Sequence, residues 1–161
     1  MDRPCRCAGC WMTVLLAAAG GCDRPAPPKV PEVTLGGRTW RVELAMTPAA
    51  RYRGLSDREG LGADAGMLFI YPRPDVLDFC MRQCLIPLDI AFLDADGRVV
   101  KTHTMPVEPY GLEERTYGSE VPAQYALEVR AGALAAAGVK VGDQAKFSPG
   151  VPAAAKATPD P

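Results

Sequence analysis

Two cysteines four residues apart, Cys80 and Cys84 in DFCMRQCLIPLDIAFLDADG (residues 78 to 97), form a pair whose chemistry depends on the shape of the backbone between them. In an extended strand, residues i and i+4 face the same way but lie about 13 Å apart, whereas a disulfide needs Cα atoms within about 7 Å. The pair bridges only if the chain turns at Arg82 to Cys84. Pro87, which steers Ile86 away from helical backbone, makes a bend nearby plausible. As thiols, the two are soft ligands suited to Cu(I) or Zn²⁺. His103 and Met105 would then add a nitrogen and a thioether. A bridged pair, a metal-binding pair and two unpaired thiols all remain open at this level.

The carboxylates divide differently. Asp94-Ala95-Asp96-Gly97 has the composition of a hairpin turn, and no twelve-residue calcium loop ending in Glu surrounds it. Asp89 sits at the start of an apolar run, Ile90-Ala91-Phe92, where an unpaired carboxylate is expensive. Arg51, Arg58 and Arg82 are its candidate partners, and together the four residues define an expected polar cleft. The alternative is a purely structural ion pair. His103 is the sole histidine, and no serine stands in a G-x-S-x-G elbow, so acyl-transfer catalysis has no support. Phosphate-binding glycines and paired C-x2-C zinc spacings are also missing. No catalytic residues are assigned.

These side chains need elements to hold them. Glu32 to Leu35 and Arg38 to Ala45 alternate around Gly36-Gly37 and predict a hairpin. Thr47-Pro48 is an N-cap followed by proline at the first helical position, predicting a short helix to Arg53 closed by Gly54. GMLFIY (66 to 71) reads as a buried strand, with a turn at 72 to 75. Further strands are expected at 76–81, 89–94, 98–102, 125–129 and 144–147, with a short helix at 131–137 and a long loop over 103–122. The sum is a single α+β domain over 32–147, predominantly β. It is expected to be a small half-open barrel or sandwich of short antiparallel strands with two short helices. Residues 148–161, rich in Pro and Ala, are expected to be a disordered tail.

The first 21 residues have the order of a secretory signal: Arg3 and Arg6, an apolar stretch from Trp11 to Ala19, then small residues. The apolar stretch is shorter than the roughly 20 residues a membrane crossing needs. Ala19-Gly20-Gly21-Cys22 resembles a bacterial lipobox, so Cys22 is the expected lipidated first residue of the mature chain. Residues 22–31 would then be a Pro-rich tether. On that reading the domain is extracytoplasmic, on the periplasmic side in a Gram-negative cell. Cys5, Cys7 and Cys10 leave with the signal, and only Cys80 and Cys84 remain to be explained in an oxidising compartment. Eighteen basic against 19 acidic residues give no electrostatic case for nucleic acid.

The segments VELAMTPAARYRGLSDREGL, GMLFIY, LIPLDIAFLDADGRVV and YALEVRAG followed by GVKVGD are similar to the prokaryotic family called domain of unknown function 192. The resemblance covers about residues 38 to 147. It implies the same small domain and agrees with secreted or lipid-anchored members, but it implies no chemistry. Where that family typically reads Phe-Trp-Met-Lys-Asn-Thr, this chain reads Phe79-Cys80-Met81-Arg82-Gln83-Cys84. Ser56 stands at a usual methionine and Ala50 at a usual glutamate. The expected function is a membrane-tethered binding or accessory module of the cell envelope, needing no cofactor, whose partner is an envelope protein or a small ligand. The alternative is a thiol or copper-handling protein using Cys80 and Cys84 with Cu(I). An enzyme with an unrecognised cleft at Arg51, Arg58 and Asp89 comes third.

Overall fold

The computed structural model describes residues 30–109 and 115–160. The expected signal, the lipidation site Cys22 and most of the tether lie outside them. Strands β1 (Glu32–Leu35) and β2 (Arg38–Ala45) form the hairpin, turned by Gly36 and Gly37 at φ 57° and 77°. Helix α1 (Pro48–Arg53) starts at Thr47, whose hydroxyl accepts from the Ala50 N–H at 3.2 Å, an N-cap bond. Strands β3 (Ala65–Asp75), β4 (Asp78–Cys80), β5 (Leu88–Leu93), β6 (Val99–Met105), β7 (Thr116–Gly118) and β8 (Ala123–Arg130) follow. Helix α2 (Ala133–Ala136) and strand β9 (Lys146–Phe147) complete the order, with a 3-10 turn at Ala154–Lys156.

Seven strands make one curled sheet, ordered β6-β5-β8-β3-β2-β1-β9, and β4 with β7 make a separate ribbon. The domain is α+β and mostly β, a half-open barrel with two short helices. Not all of its strands are antiparallel: β2 and β3 run parallel. The segment from Met46 to Asp64, which carries α1, is long enough to return the chain in the same direction. Two other expectations change. β3 continues through Pro72 and Pro74 as far as Asp75, where a turn was expected. The long loop expected over 103–122 contains the end of β6 and all of β7, which is recruited by pairing with β4.

Both faces of the sheet are covered. Val33, Trp40, Leu68, Ile70, Leu93 and Leu127 form one apolar cluster, closed by α2 and the C-terminal segment. Met67, Phe69, Ile90, Phe92, Met81 and Tyr117 form a second on the opposite face, beneath α1 and the β4–β7 ribbon. Burial on both sides explains why GMLFI and IAFL are continuous apolar runs and do not alternate.

Residues 148–160 are not the loose tail that their composition suggested. Ala154 and Ala157 are buried in the first cluster, and the Thr158 N–H bonds the Met46 carbonyl at 2.8 Å. Arg51 fixes this strap. Its guanidinium donates to the carbonyls of Met46, Ile70 and Thr158 at 3.0, 3.1 and 2.7 Å and to Asp160 Oδ1 at 2.7 Å. Small alanines let the strap lie close, and one buried cation satisfies acceptors from three segments. Arg51→Ala leaves the buried Met46 and Ile70 carbonyls without that donor and should destabilise by about 3 kcal/mol. Urea unfolding checks this, and an unchanged midpoint would mean the strap contributes nothing.

Candidate ligand-binding cleft

A cleft of about 630 Å³ opens between α1 with its following loop and the β4 strand with its following turn. Its floor is the second face of the sheet, where Phe69 and Tyr71 come from β3 and Glu128 from β8. Asp160 of the strap lines it as well.

The turn answers the cysteine question posed by the sequence. The Cys84 N–H bonds the Met81 carbonyl at 3.1 Å, and Gln83 takes φ 54°, so the backbone reverses where a strand would have kept the thiols apart. The reversal is pinned to the loop after α1. Asp57 N–H donates to the Gln83 carbonyl at 2.8 Å, Ser56 Oγ to the Arg82 carbonyl at 3.0 Å, and Arg82 to the Tyr52 carbonyl at 2.6 Å. The Arg82 guanidinium also stacks on the Tyr52 ring, 3.7 Å from its centroid. Asp57, like Gln83, holds a left-handed φ, here 61°. Two non-glycine residues in that region, bonded to each other at one rim, are the kind of local strain found at binding sites. Cys80 and Cys84 both line this wall and are unbridged. Burial pushes the Cys84 thiol up to about 12, with the nearby Glu128 and Cys80 charges adding to the effect.

Glu128 was missed in the sequence. It lies on the central strand, flanked by Met67 on β3 and Ile90 on β5, and only 5% of its surface is exposed. Among the described residues no hydrogen bond or salt bridge reaches its carboxyl, and desolvation alone raises its pKa to about 8. Tyr71 is raised to about 12, chiefly by burial. The floor of the cleft is therefore uncharged near neutrality and carries hydrogen-bond donors: a carboxylic acid, a thiol and a phenol. The signal in the sequence was one glutamate inside the apolar run Tyr125-Ala126-Leu127-Glu128-Val129.

The expected polar cleft of Arg51, Arg58, Arg82 and Asp89 is thus redistributed. Arg51 and Arg82 line the cleft. Arg58 forms a two-pronged pair with Glu43 at 2.5 and 2.7 Å beside a neighbouring hollow, where Ala50 also lies. That contact lowers the Glu43 pKa. Asp89 pairs with none of the arginines. It faces the other side of the sheet, where Thr104 Oγ1 donates to it at 2.8 Å and the Leu134 N–H at 3.0 Å. It caps α2, whose own N-cap position is Gly132 and supplies no side chain. Strand alternation causes the split, because Asp89 and Ile90 must point to opposite faces.

His103 packs its ring against Phe92 and Tyr117, with Nε2 2.9 Å from the Gly118 carbonyl, and Met105 is fully buried. Neither lines the cleft with the cysteines. No three His, Cys, Asp or Glu side chains gather as a metal site among the described residues. Asp94 is a turn residue, its carboxylate accepting from the N–H groups of Asp96 and Arg98 at 2.9 and 2.8 Å. No described helix is long and apolar enough to cross a membrane.

This small curled-sheet domain, with a cleft between a short helix and a pinned turn, has known relatives. The chain belongs to the family DUF192 (Uncharacterized ACR), whose model matches residues 31–147. A protein of unknown function from Novosphingobium aromaticivorans DSM 12444 is similar to it, at 36% identity and a TM-score of 0.65 over 71% of this chain and 83% of that one. A protein of Sinorhizobium meliloti 1021, provisionally described as a transcription regulator, is 32% identical with a TM-score of 0.65, over 76% of this chain and 97% of its own. No curated protein matches the chain.

Glu128 sets a pH dependence. Its carboxyl stays protonated in the fold up to about 8 but ionises in the unfolded chain above its ordinary 4.5. Between those limits the folded state holds the extra proton, so stability falls as pH rises, by at most about 1.4 kcal/mol per unit for this one group. Glu128→Gln keeps the shape without the titration. It should come close to the parent at pH 4 and exceed it increasingly up to pH 8, above which the gap levels off. Denaturant midpoints across pH 4 to 9 measure this, and a constant gap would contradict the buried, unpartnered carboxyl.

Proposed function

We propose that this protein is an extracytoplasmic binding module of the cell envelope, tethered to the membrane by lipid on Cys22, whose cleft holds a small ligand. The observation that carries the binding role is Glu128. A desolvated carboxyl without a partner weakens the fold, and a leucine or glutamine would pack the same position at lower cost. Keeping it at the bottom of an open cleft makes sense if a ligand completes it. The Cys84 thiol, pushed away from its reactive thiolate form, favours binding over thiol catalysis. The tether rests on the signal-like leader and the lipobox-like Ala19-Gly20-Gly21-Cys22.

Cell fractionation tests the anchor. The parent should sediment with membranes and Cys22→Ser should not; equal distribution of the two would sink it. For the cleft, full-length protein incubated with a small-molecule cell extract should show an added mass by native mass spectrometry. That mass should be lost in Glu128→Gln.

A second reading, thiol or copper handling, is favoured by one feature: the Met81–Cys84 turn brings both cysteines onto one wall. His103 and Met105 do not join them, so a copper ion would rely on the two thiols. Anaerobic Cu(I) titration should then give one ion per chain, lost when both cysteines become serine. No uptake by the parent would dismiss this reading.

A further inference from the structure

Of the acidic and basic side chains that line the cleft, Arg51 and Asp160 pair with each other and Arg53 and Asp78 are exposed, while two more enclosed groups have no counter-charge among the described residues. One is Glu128, at the floor. The other is Arg82, at the rim, whose contacts are neutral: the Tyr52 carbonyl and the face of the Tyr52 ring. The two do not pair with each other. The same cleft is lined by Leu55, Phe69 and Phe79, with the Phe69 and Phe79 rings edge to face at 4.9 Å. We propose that the ligand is a small zwitterion, its ammonium group seated on Glu128 and its acidic group on Arg82. This deepens the reading of the cleft as a ligand site and rests on it.

The alternatives fit less well. A simple cation can use Glu128 and the exposed Asp78 but leaves Arg82 without a counter-charge. A simple anion can use Arg82 but leaves the buried acid unpartnered. One molecule with both ends satisfies both groups. Arg82 spends one N–H on Tyr52, and a guanidinium has five, so a carboxylate or phosphate can still be gripped by two parallel bonds.

The groups facing Glu128 leave it the site's own responsive acid. Met67 and Tyr71 come from β3 and Ile90 from β5, and the other ionisable groups of the cleft include Arg51 and Arg53 of α1, Asp78 and Cys80 of β4, Arg82 and Cys84 of the turn, and Asp160 of the strap. Tyr71 and Cys84 stay protonated to about 12, and Arg51 is already paired with Asp160. Seating an ammonium therefore requires Glu128 to release its proton to solvent, one proton per ligand bound near pH 7. No bond other than that O–H is broken.

Isothermal titration of the full-length protein supplies the test, with O-phosphoethanolamine and L-leucine as zwitterions bearing a phosphate or a carboxylate. Butylammonium and butyrate are the single-ended controls. At least one zwitterion should bind tenfold or more tightly than either control. Titration at pH 7 in two buffers of different ionisation enthalpy should count close to one proton released. Affinity should rise about tenfold per pH unit from 6 and level off above 8. Preference for the phosphate or the carboxylate tells a lipid-headgroup type of ligand from an amino-acid type. Glu128→Gln should lose tenfold or more, and so should Arg82→Gln. Arg82→Lys, which keeps the charge and loses the fork, should lose less, and circular dichroism should show all three folded. Binding without proton release, controls that bind as well as the zwitterions, or full affinity in Glu128→Gln would overturn the proposal. A Glu128-dependent mass from the cell extract that contains no amine would also overturn it, while leaving the cleft a ligand site. If neither probe nor extract binds, the ligand-site reading falls too.

Discussion

Strand β8 lies between β3 and β5, and its stretch from Ala126 to Val129 is buried on both faces; the rest of the molecule follows from that constraint. Its backbone groups are paired on both sides, antiparallel to each neighbour. Leu127 and Val129 fill one apolar cluster and Ala126 the other. A strand so enclosed tolerates a polar side chain only at a cost, yet this sheet carries a carboxylate on each face. Asp89, on β5, is met by a hydroxyl and a helix N–H, so the cost is offset and the carboxylate positions α2. Glu128 is met by nothing comparable. One acid is structural because it is satisfied, and the other gains meaning because it is not.

Much of the fold was legible from local chemistry. The hairpin at Gly36-Gly37, the Thr47 cap and the Asp94 turn depend on contacts within a few residues, and each formed as its residues dictate. What failed to show was set by distant partners. β7 exists because β4 offers it an edge. The strap exists because Arg51, more than a hundred residues away, collects its carbonyl and carboxylate. The parallel pairing of β2 with β3 likewise reflects where α1 delivers the chain.

The candidate site was half legible for the same reason. A turn between Cys80 and Cys84 was one of the shapes their spacing left open, and the bonds that pin it come from Tyr52, Ser56 and Asp57, far away in the chain. The assignment of Asp89 to the cleft failed because periodicity tells which residues share a face, but not which face a cleft opens on. Glu128 needed the knowledge that both faces of its strand are covered. Once that is known, a lone acid in YALEV stands out. Most of the departures from the family pattern, Ser56, Cys80, Arg82 and Cys84, line the cleft, while Ala50 lies in the neighbouring hollow. The scaffold of this chain is that of its family, and its individuality is concentrated around the cleft.

The strap has a practical corollary. Asp160 forms part of the cleft wall and is held there by Arg51. Whatever is joined to the chain after that residue, an affinity tag, a fluorescent protein or a further segment, emerges beside the cleft entrance. Asp160 is thus part of the site, and a label joined just after it would be a change to the site as well as a handle on the protein.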